Sequence, residues 1–263
     1  MRVGQSCRAA RRHAVTCALF LAVPAIGLCG CHQAQGRPGP GSETTRPGEI
    51  GDFHALYREN CTGCHGANGK NGATIALANP VYIAWAGEDQ LRSAIANGTA
   101  SKLMPPFAKS AGGMLTDNQV SVLARGIKES WGTPNVLSGV NPPAYKAALA
   151  GDAQRGFTAY GVFCARCHGA TGEGGPADGK TVPGKTGPGK SGWLGSIVDP
   201  SYLALISDQY LRSLVVAGFP DGSMPDWRND AAQTMSDQQV TDVVAWLASK
   251  RVATPGQPYP ARP

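Results

Sequence analysis

The chain repeats itself, and the repeat is what limits its fold. NPVYIAWAGEDQLRSAIANG (Asn79 to Gly98) returns 120 residues on as DPSYLALISDQYLRSLVVAG (Asp199 to Gly218). Pro80 falls on Pro200, Tyr82 on Tyr202, and Leu91-Arg92-Ser93 on Leu211-Arg212-Ser213. Without a gap, the same spacing carries Met104-Pro105 onto Met224-Pro225 and TDNQV (Thr116 to Val120) onto SDQQV (Ser236 to Val240). Upstream, CTGCHG (Cys61 to Gly66) and CARCHG (Cys164 to Gly169) stand 103 residues apart, with Tyr57 and Tyr160 each four residues before the first cysteine. The 17-residue difference is an insertion between His168 and Pro200. Two copies of one unit of roughly 80 to 110 residues therefore have to fold, with a break near GTPNVLSGVNPP (Gly132 to Pro143).

Each copy reads as helix. GDFHALYREN leads into the first CxxCH at helical spacing, and GEDQLRSAIANG is apolar at Leu91, Ala94 and Ile95 before it stops at Gly98. Its counterpart starts at Ser207 and stops at Gly218, a glycine where a helix C-terminus favours one. Thr116 and Ser236 are followed three residues on by Gln119 and Gln239, the reciprocal capping pattern. The helices they open are apolar at Val120, Leu123 and Ile127, and at Val240, Val243, Val244 and Leu247. No stretch of strand length alternates convincingly, so the expected class is all-α. A unit this small and glycine-rich has a thin core, and something inside it has to supply apolar bulk.

The N-terminus reads as an export signal. Arg2, Arg8, Arg11 and Arg12 precede an apolar run, Ala14 to Leu28, too short to span a bilayer and suited to a signal h-region. LCGC (Leu28 to Cys31) resembles a bacterial lipobox, which would make Cys31 the lipidated first residue of the mature chain. The alternative is an ordinary cleaved signal with a stray cysteine. The organisation expected is a signal over 1–30, a Pro/Gly-rich tether over 31–48 and a first domain over 49–135. A linker over 136–146 leads to a second domain over 147–253, which carries a Gly/Pro/Lys-rich insertion near 172–192, and a Pro-rich tail fills 254–263. The location expected is the periplasmic side of a bacterial membrane, anchored through Cys31, with a soluble periplasmic protein as the alternative.

Export decides how the eight cysteines are read. Cys7, Cys17 and Cys29 leave with the signal and Cys31 is taken by lipid, so only the two CxxC pairs remain. None is left over for a disulfide framework, although the compartment would permit one. Charge excludes another class. The formal +6 includes four arginines of the signal, and the mature chain has 20 basic and 18 acidic groups, a balance that gives nucleic-acid binding no support. Lysines at 180, 185 and 190 are evenly spaced along the insertion, which reads as a solvated loop or as a basic surface steering an acidic redox partner.

Three chemistries use CxxCH. Structural zinc wants four ligands, and each copy offers two cysteines and an adjacent histidine without a second pair. A redox dithiol wants a βαβ setting, and these copies are helical. Covalent haem fits: two cysteines three apart hold the vinyl edges through thioethers, and the histidine that follows is placed beneath the iron. Downstream of each motif the aligned Met-Pro offers a second axial ligand. No nucleophile, paired carboxylates or phosphate loop stands out.

CTGCHG with LMPPF, and CARCHG with SMPDW, resemble two class I c-type cytochrome domains in tandem, over essentially all of residues 50 to 250. The resemblance implies two covalently attached haem c groups, bound through Cys61, Cys64, Cys164 and Cys167, with axial pairs His65/Met104 and His168/Met224. Met114 and Met235 are rival ligands, but they are not equivalent in the repeat and neither precedes proline. It further implies that a proline carbonyl, from Pro80 or Pro200, accepts the histidine Nδ1–H, and Arg92 and Arg212 are candidates to pair with haem propionates. Tyr57 and Tyr160 are expected to pack on the haem edge or the C-terminal helix, and His54 to be a surface residue. The implied function is outer-sphere electron transfer, not enzymatic turnover, between a donor complex and an acceptor such as a terminal oxidase, with no small-molecule substrate. A fixed electron-transfer subunit of a membrane-bound dehydrogenase or quinol-oxidising complex is an alternative. A diheme peroxidase or thiosulfate-oxidising enzyme is a further one.

Overall fold

The computed structural model describes residues 45–101, 103–176, 193–228 and 233–253. The signal, Cys31, most of the tether, the three insertion lysines and the Pro-rich tail lie outside the described residues. The remainder, from Pro47 on, forms one compact unit that contains both copies of the repeat.

Local sequence sets the helix boundaries. In the first half α1 (Phe53–Asn60) starts at Asp52, whose carboxylate accepts the Ala55 N–H at 2.7 Å. The single turn α2 (Thr62–His65) follows at once and carries Cys64 and His65. Asn79 caps α3 (Pro80–Asn97), accepting from the N–H groups of Val81 and Tyr82, and Pro80 occupies the first turn, where its missing donor is harmless. Thr116 opens α4 (Asp117–Trp131) with both bonds of the reciprocal cap in place.

The second half repeats this plan with α5 (Ala153–Phe163), α6 (Ala165–His168), α7 (Pro200–Leu205), α8 (Asp208–Ala217) and α9 (Asp237–Ala248), the last opened by the matching cap at Ser236. One long helix has thus become two. In α3 the chain bends at Gly87, whose φ is +71°, and the residue aligned with it, Ser207, stops the first helix and caps the second through the Tyr210 N–H. A two-residue antiparallel ladder, β1 (Gly175–Pro176) with β2 (Trp193–Leu194), closes the base of the insertion. The remainder is helix and loop, as the all-α reading requires.

In each half the N-terminal helix packs against the C-terminal one, α1 on α4 and α5 on α9, the latter being the most extensive helix contact among the described residues. The halves do not stop at their own cores: a single apolar cluster runs from Leu56 and Tyr82 through Trp85 to Leu203 and Trp246. Polar bonds reinforce it, the Asn79 amide donating to the Ala217 carbonyl at 2.9 Å and the Asn71 N–H to Asp221 at 2.6 Å. The connecting segment is held as well. Trp85 donates its indole N–H to the Pro143 carbonyl at 2.6 Å and packs its ring on Tyr145.

Candidate haem-binding sites

Each CxxCH motif is a helical turn attached to the end of the helix before it. The Cys61 N–H donates to the Tyr57 carbonyl and the Cys164 N–H to that of Tyr160, both at 2.8 Å, so the first cysteine ends one helix and starts the next. The glycine after the histidine ends the turn with φ near +80° in both copies, a conformation that needs glycine. The same tyrosines then close the loop. Tyr57 donates its hydroxyl to the Gly66 carbonyl at 3.0 Å, and Tyr160 does the same to Gly169. Their rings lie on Trp131 and Trp246 of the C-terminal helices, so of the two roles expected for them it is the helix contact that the structure shows.

The motif side chains are graded in burial. In both copies the first cysteine is half-buried and the second exposed, and none of the four is in a disulfide. Burial, with the neighbouring cysteine adding to it, pushes the Cys61 and Cys164 thiols up to about 12. Such thiols are almost wholly protonated at neutral pH, the opposite of the activated thiolate a redox dithiol needs. Burial likewise lowers both histidine pKa values, offset at His65 by its bond to Ile75, so each imidazole is neutral, the form that ligates a metal. Among the described residues no three His, Cys, Asp or Glu side chains converge to hold a bare ion.

Met-Pro is placed by the glycine that ends the preceding helix. Gly98 and Gly218 both have φ of +72°, and a Cβ there would lie 2.6 Å from the carbonyl oxygen of Met104 or Met224. A further bond, Thr99 N–H to Met104 carbonyl in one half and Phe219 N–H to Met224 carbonyl in the other, fixes each approach. In the second half the result is a shared cavity. Cys164, Cys167, His168 and Met224 line it together with Phe163, Val215 and Trp227. Two thiols three apart, a neutral imidazole and a thioether around one cavity are the donors a covalently held porphyrin asks for, with Arg166 and Asp226 also on its wall. Met235 also lines this cavity, whereas its first-half rival Met114 is 79% exposed. Met104 is half-buried against the core.

The surroundings of the motifs correct four expectations. The carbonyl that accepts the His65 Nδ1–H, at 2.9 Å, belongs to Ile75 and not to Pro80, and no sequence signal marks a backbone carbonyl in a loop. Pro200 does not serve His168 either: its carbonyl accepts from the Val252 N–H, and the buried His168 Nδ1 has no partner among the described residues. Arg212 is buried, its guanidinium bonded to the Ala144 carbonyl, Thr241 and Asp237, and it does not line the second-half cavity. Arg92 lies in a groove between α3 and α4, paired with Asp89 at 2.5 Å, with no motif residue beside it. His54 is exposed, as expected of a surface histidine.

Both copies of the repeat match one family of known proteins. The family model described as cytochrome C oxidase, cbb3-type, subunit III matches residues 48–125 and again 151–247, once on each copy of the repeat. A cbb3-type cytochrome c oxidase subunit CcoP from Azospirillum sp. (strain B510) is 33% identical over 132 residues. That alignment spans 46% of this chain and 39% of the relative. A reducing HAO-like protein complex from Kuenenia stuttgartiensis is alike over 76% of this chain and 96% of its own, at 16% identity and a TM-score of 0.38.

Proposed function

The chain belongs to the family of cbb3-type cytochrome c oxidase subunit III, a family of c-type cytochromes, and from that membership we propose a two-haem electron carrier with one haem c in each half. The observation that carries the reading is the second-half cavity, which brings Cys164, Cys167, His168 and Met224 around one space. The modules are 49–135 and 147–253. Cys61 and Cys64 would hold the first haem by thioethers and Cys164 and Cys167 the second, with His65/Met104 and His168/Met224 as the residues that would ligate the iron. When bound, each haem supplies one reversible electron through its iron.

The chain's own residues do the rest. Burial keeps both imidazoles neutral, Tyr57 and Tyr160 pin the loop behind each motif, and Gly98 and Gly218 let the Met-Pro backbone approach. Ligation by a histidine and a methionine would leave the iron no open position for a substrate. Outer-sphere transfer to and from protein partners follows, not turnover of a small molecule. The shared apolar cluster makes the two halves one body, which holds the distance between the redox centres constant.

Lipid on Cys31 would tether this unit to the periplasmic face of a membrane; no helix among the described residues is long and apolar enough to cross one. The chain's similarity to cbb3-type oxidase subunits favours a second reading, in which it is an electron-transfer subunit attached to a terminal oxidase.

Production with the haem-attachment machinery, followed by intact mass and optical spectra, tests the proposal. Two covalent haems and two iron–methionine charge-transfer bands are expected. Met104→Leu should remove the first band and Met224→Leu the second, while Met235→Leu spares both. Loss of the second band in Met235→Leu instead would move that ligand to Met235, and a chain without covalent haem would end the account.

A further inference from the structure

The two halves carry an arginine and an aspartate at matched helix positions, and in the second half a piece of chain is bonded to both. In the second half the segment around Ala144 runs across the face formed by α8 and α9. The Ala144 N–H donates to Asp237 at 2.9 Å, and its carbonyl accepts from Arg212 through Nε at 2.9 Å and Nη2 at 2.7 Å. Arg212 is held in position by Thr241 at 2.9 Å and by Asp237 itself, and Gln209 donates to the next carbonyl, Tyr145, at 2.9 Å. One arginine and one aspartate thus read the N–H and C=O of a single residue, as a neighbouring β-strand would. The contact is to backbone, so it asks for an extended segment rather than a particular side chain.

Counted back 120 residues, the clamp recurs in the first half: Arg212 becomes Arg92, Asp237 becomes Asp117 and Thr241 becomes Ser121. These three line a groove of about 430 Å³ between α3 and α4. Arg92 is half-exposed there and rests on Asp89. The clamp chemistry is intact, an arginine donor, a carboxylate acceptor and a supporting hydroxyl. One position differs. Gln209, which donates to the second carbonyl, is replaced by Asp89, so two carboxylates and one guanidinium line the groove and a cation is favoured beside the clamped residue.

We propose that the Arg92/Asp117 groove docks an extended segment of a partner protein, with a small residue at the clamp and a lysine or arginine beside it. The chain's own Asn141-Pro-Pro-Ala-Tyr-Lys146 has that pattern: prolines that pre-extend the backbone, alanine at the clamp and a lysine two residues on. The proposal does not depend on the haem assignment, because none of its residues lies in either CxxCH motif.

The test uses a fluorescein-labelled peptide of residues 140–149, VNPPAYKAAL, titrated into the full chain by fluorescence anisotropy. Saturable binding is expected, weakened about tenfold or more by Arg92→Gln with Asp117→Asn, which corresponds to about 1.4 kcal/mol. A peptide with N-methylalanine at the alanine lacks the donated N–H and should weaken equally on the unmodified protein, which separates clamp loss from misfolding of the variant. Absence of saturable binding, or binding indifferent to both changes, overturns the proposal. So does self-association of the chain abolished by the double substitution, which would give the groove to a second copy. Binding seen only when the chain starts at Thr45 would also overturn it, because the occupant would then be the chain's own N-terminal segment.

Discussion

The helix crossing is built with the same two parts in both halves, exchanged between partners. In the first half α1 contributes Phe53 and α4 contributes Gly126, where a Cβ would lie 2.1 Å from the phenylalanine ring. In the second half the residue aligned with Phe53 is Gly156 and the one aligned with Gly126 is Trp246. The aromatic has moved to the other helix and the glycine has moved with it. A Cβ on Gly156 would meet the Asp242 carbonyl oxygen at 1.9 Å as well as Trp246. The crossing therefore conserves a volume, not a residue, and the two solutions differ in what lies over the glycine. In one it is a ring that can turn, in the other a helix backbone that cannot.

That difference gives the largest expected effect. Gly156→Ala should destabilise the second half by about 3 kcal/mol or more, since overpacking against backbone displaces a whole helix. Gly126→Ala should cost less, about 1 kcal/mol, because the half-buried Phe53 ring has somewhere to go and alanine regains helix propensity. Thermal and denaturant unfolding of the haem-loaded protein would measure both. Equal losses would mean that the crossing tolerates a methyl group alike from either side, and the comparison would fail.

Which of these features could be read beforehand follows from how far apart their parts are. CxxCH, the two reciprocal caps and the glycines ending α3 and α8 lie within a few residues, where spacing alone dictates geometry. The exchanged Phe53/Gly126 and Gly156/Trp246 pairs were also within reach, but only by applying offset 103 to one helix and 120 to the other. Arg212 was misread because a matched arginine on a helix says nothing about which face the connecting segment covers. The Ile75 carbonyl leaves no trace in any side chain. Met235 entered the second cavity through the fold of a loop, and the repeat has no methionine there to announce it.

The histidines differ more subtly, and the difference bears on redox behaviour. His65 donates Nδ1–H to Ile75, which makes its ring a stronger electron donor and favours the more highly charged ferric state. The buried Nδ1 of His168 has no such partner among the described residues. Under the two-haem reading a second centre without that bond should have the higher potential, by about 50 mV if the bond is worth about 1 kcal/mol. Electrons would then pass from the first half to the second. A spectroelectrochemical titration resolves the two steps, and the step displaced in Met104→Leu belongs to the first haem. If that step is the higher one, the hydrogen bond does not order the centres.

The smallest expected effect concerns acid. The second crossing carries an ion pair that the first does not: Arg155 on α5 donates to Asp242 on α9 at 2.8 and 3.0 Å, where the aligned residues are Asp52 and Val122. Burial alone would raise the Asp242 pKa. The Arg155 bonds, the Asp152 N–H and Gln238 outweigh it, and the carboxyl is held below the usual range. A carboxylate with a depressed folded pKa contributes stability above its unfolded pKa, about 3.9, and loses it as pH falls toward the folded value. Asp242→Asn should therefore destabilise the protein by only about 0.5–1 kcal/mol at pH 7, because solvent screens the exposed Arg155 side of the pair. As both proteins are taken below about pH 4, the gap between them should close. A gap that stayed constant with pH would show that Asp242 acts through shape and not through its charge, leaving the two crossings electrostatically alike.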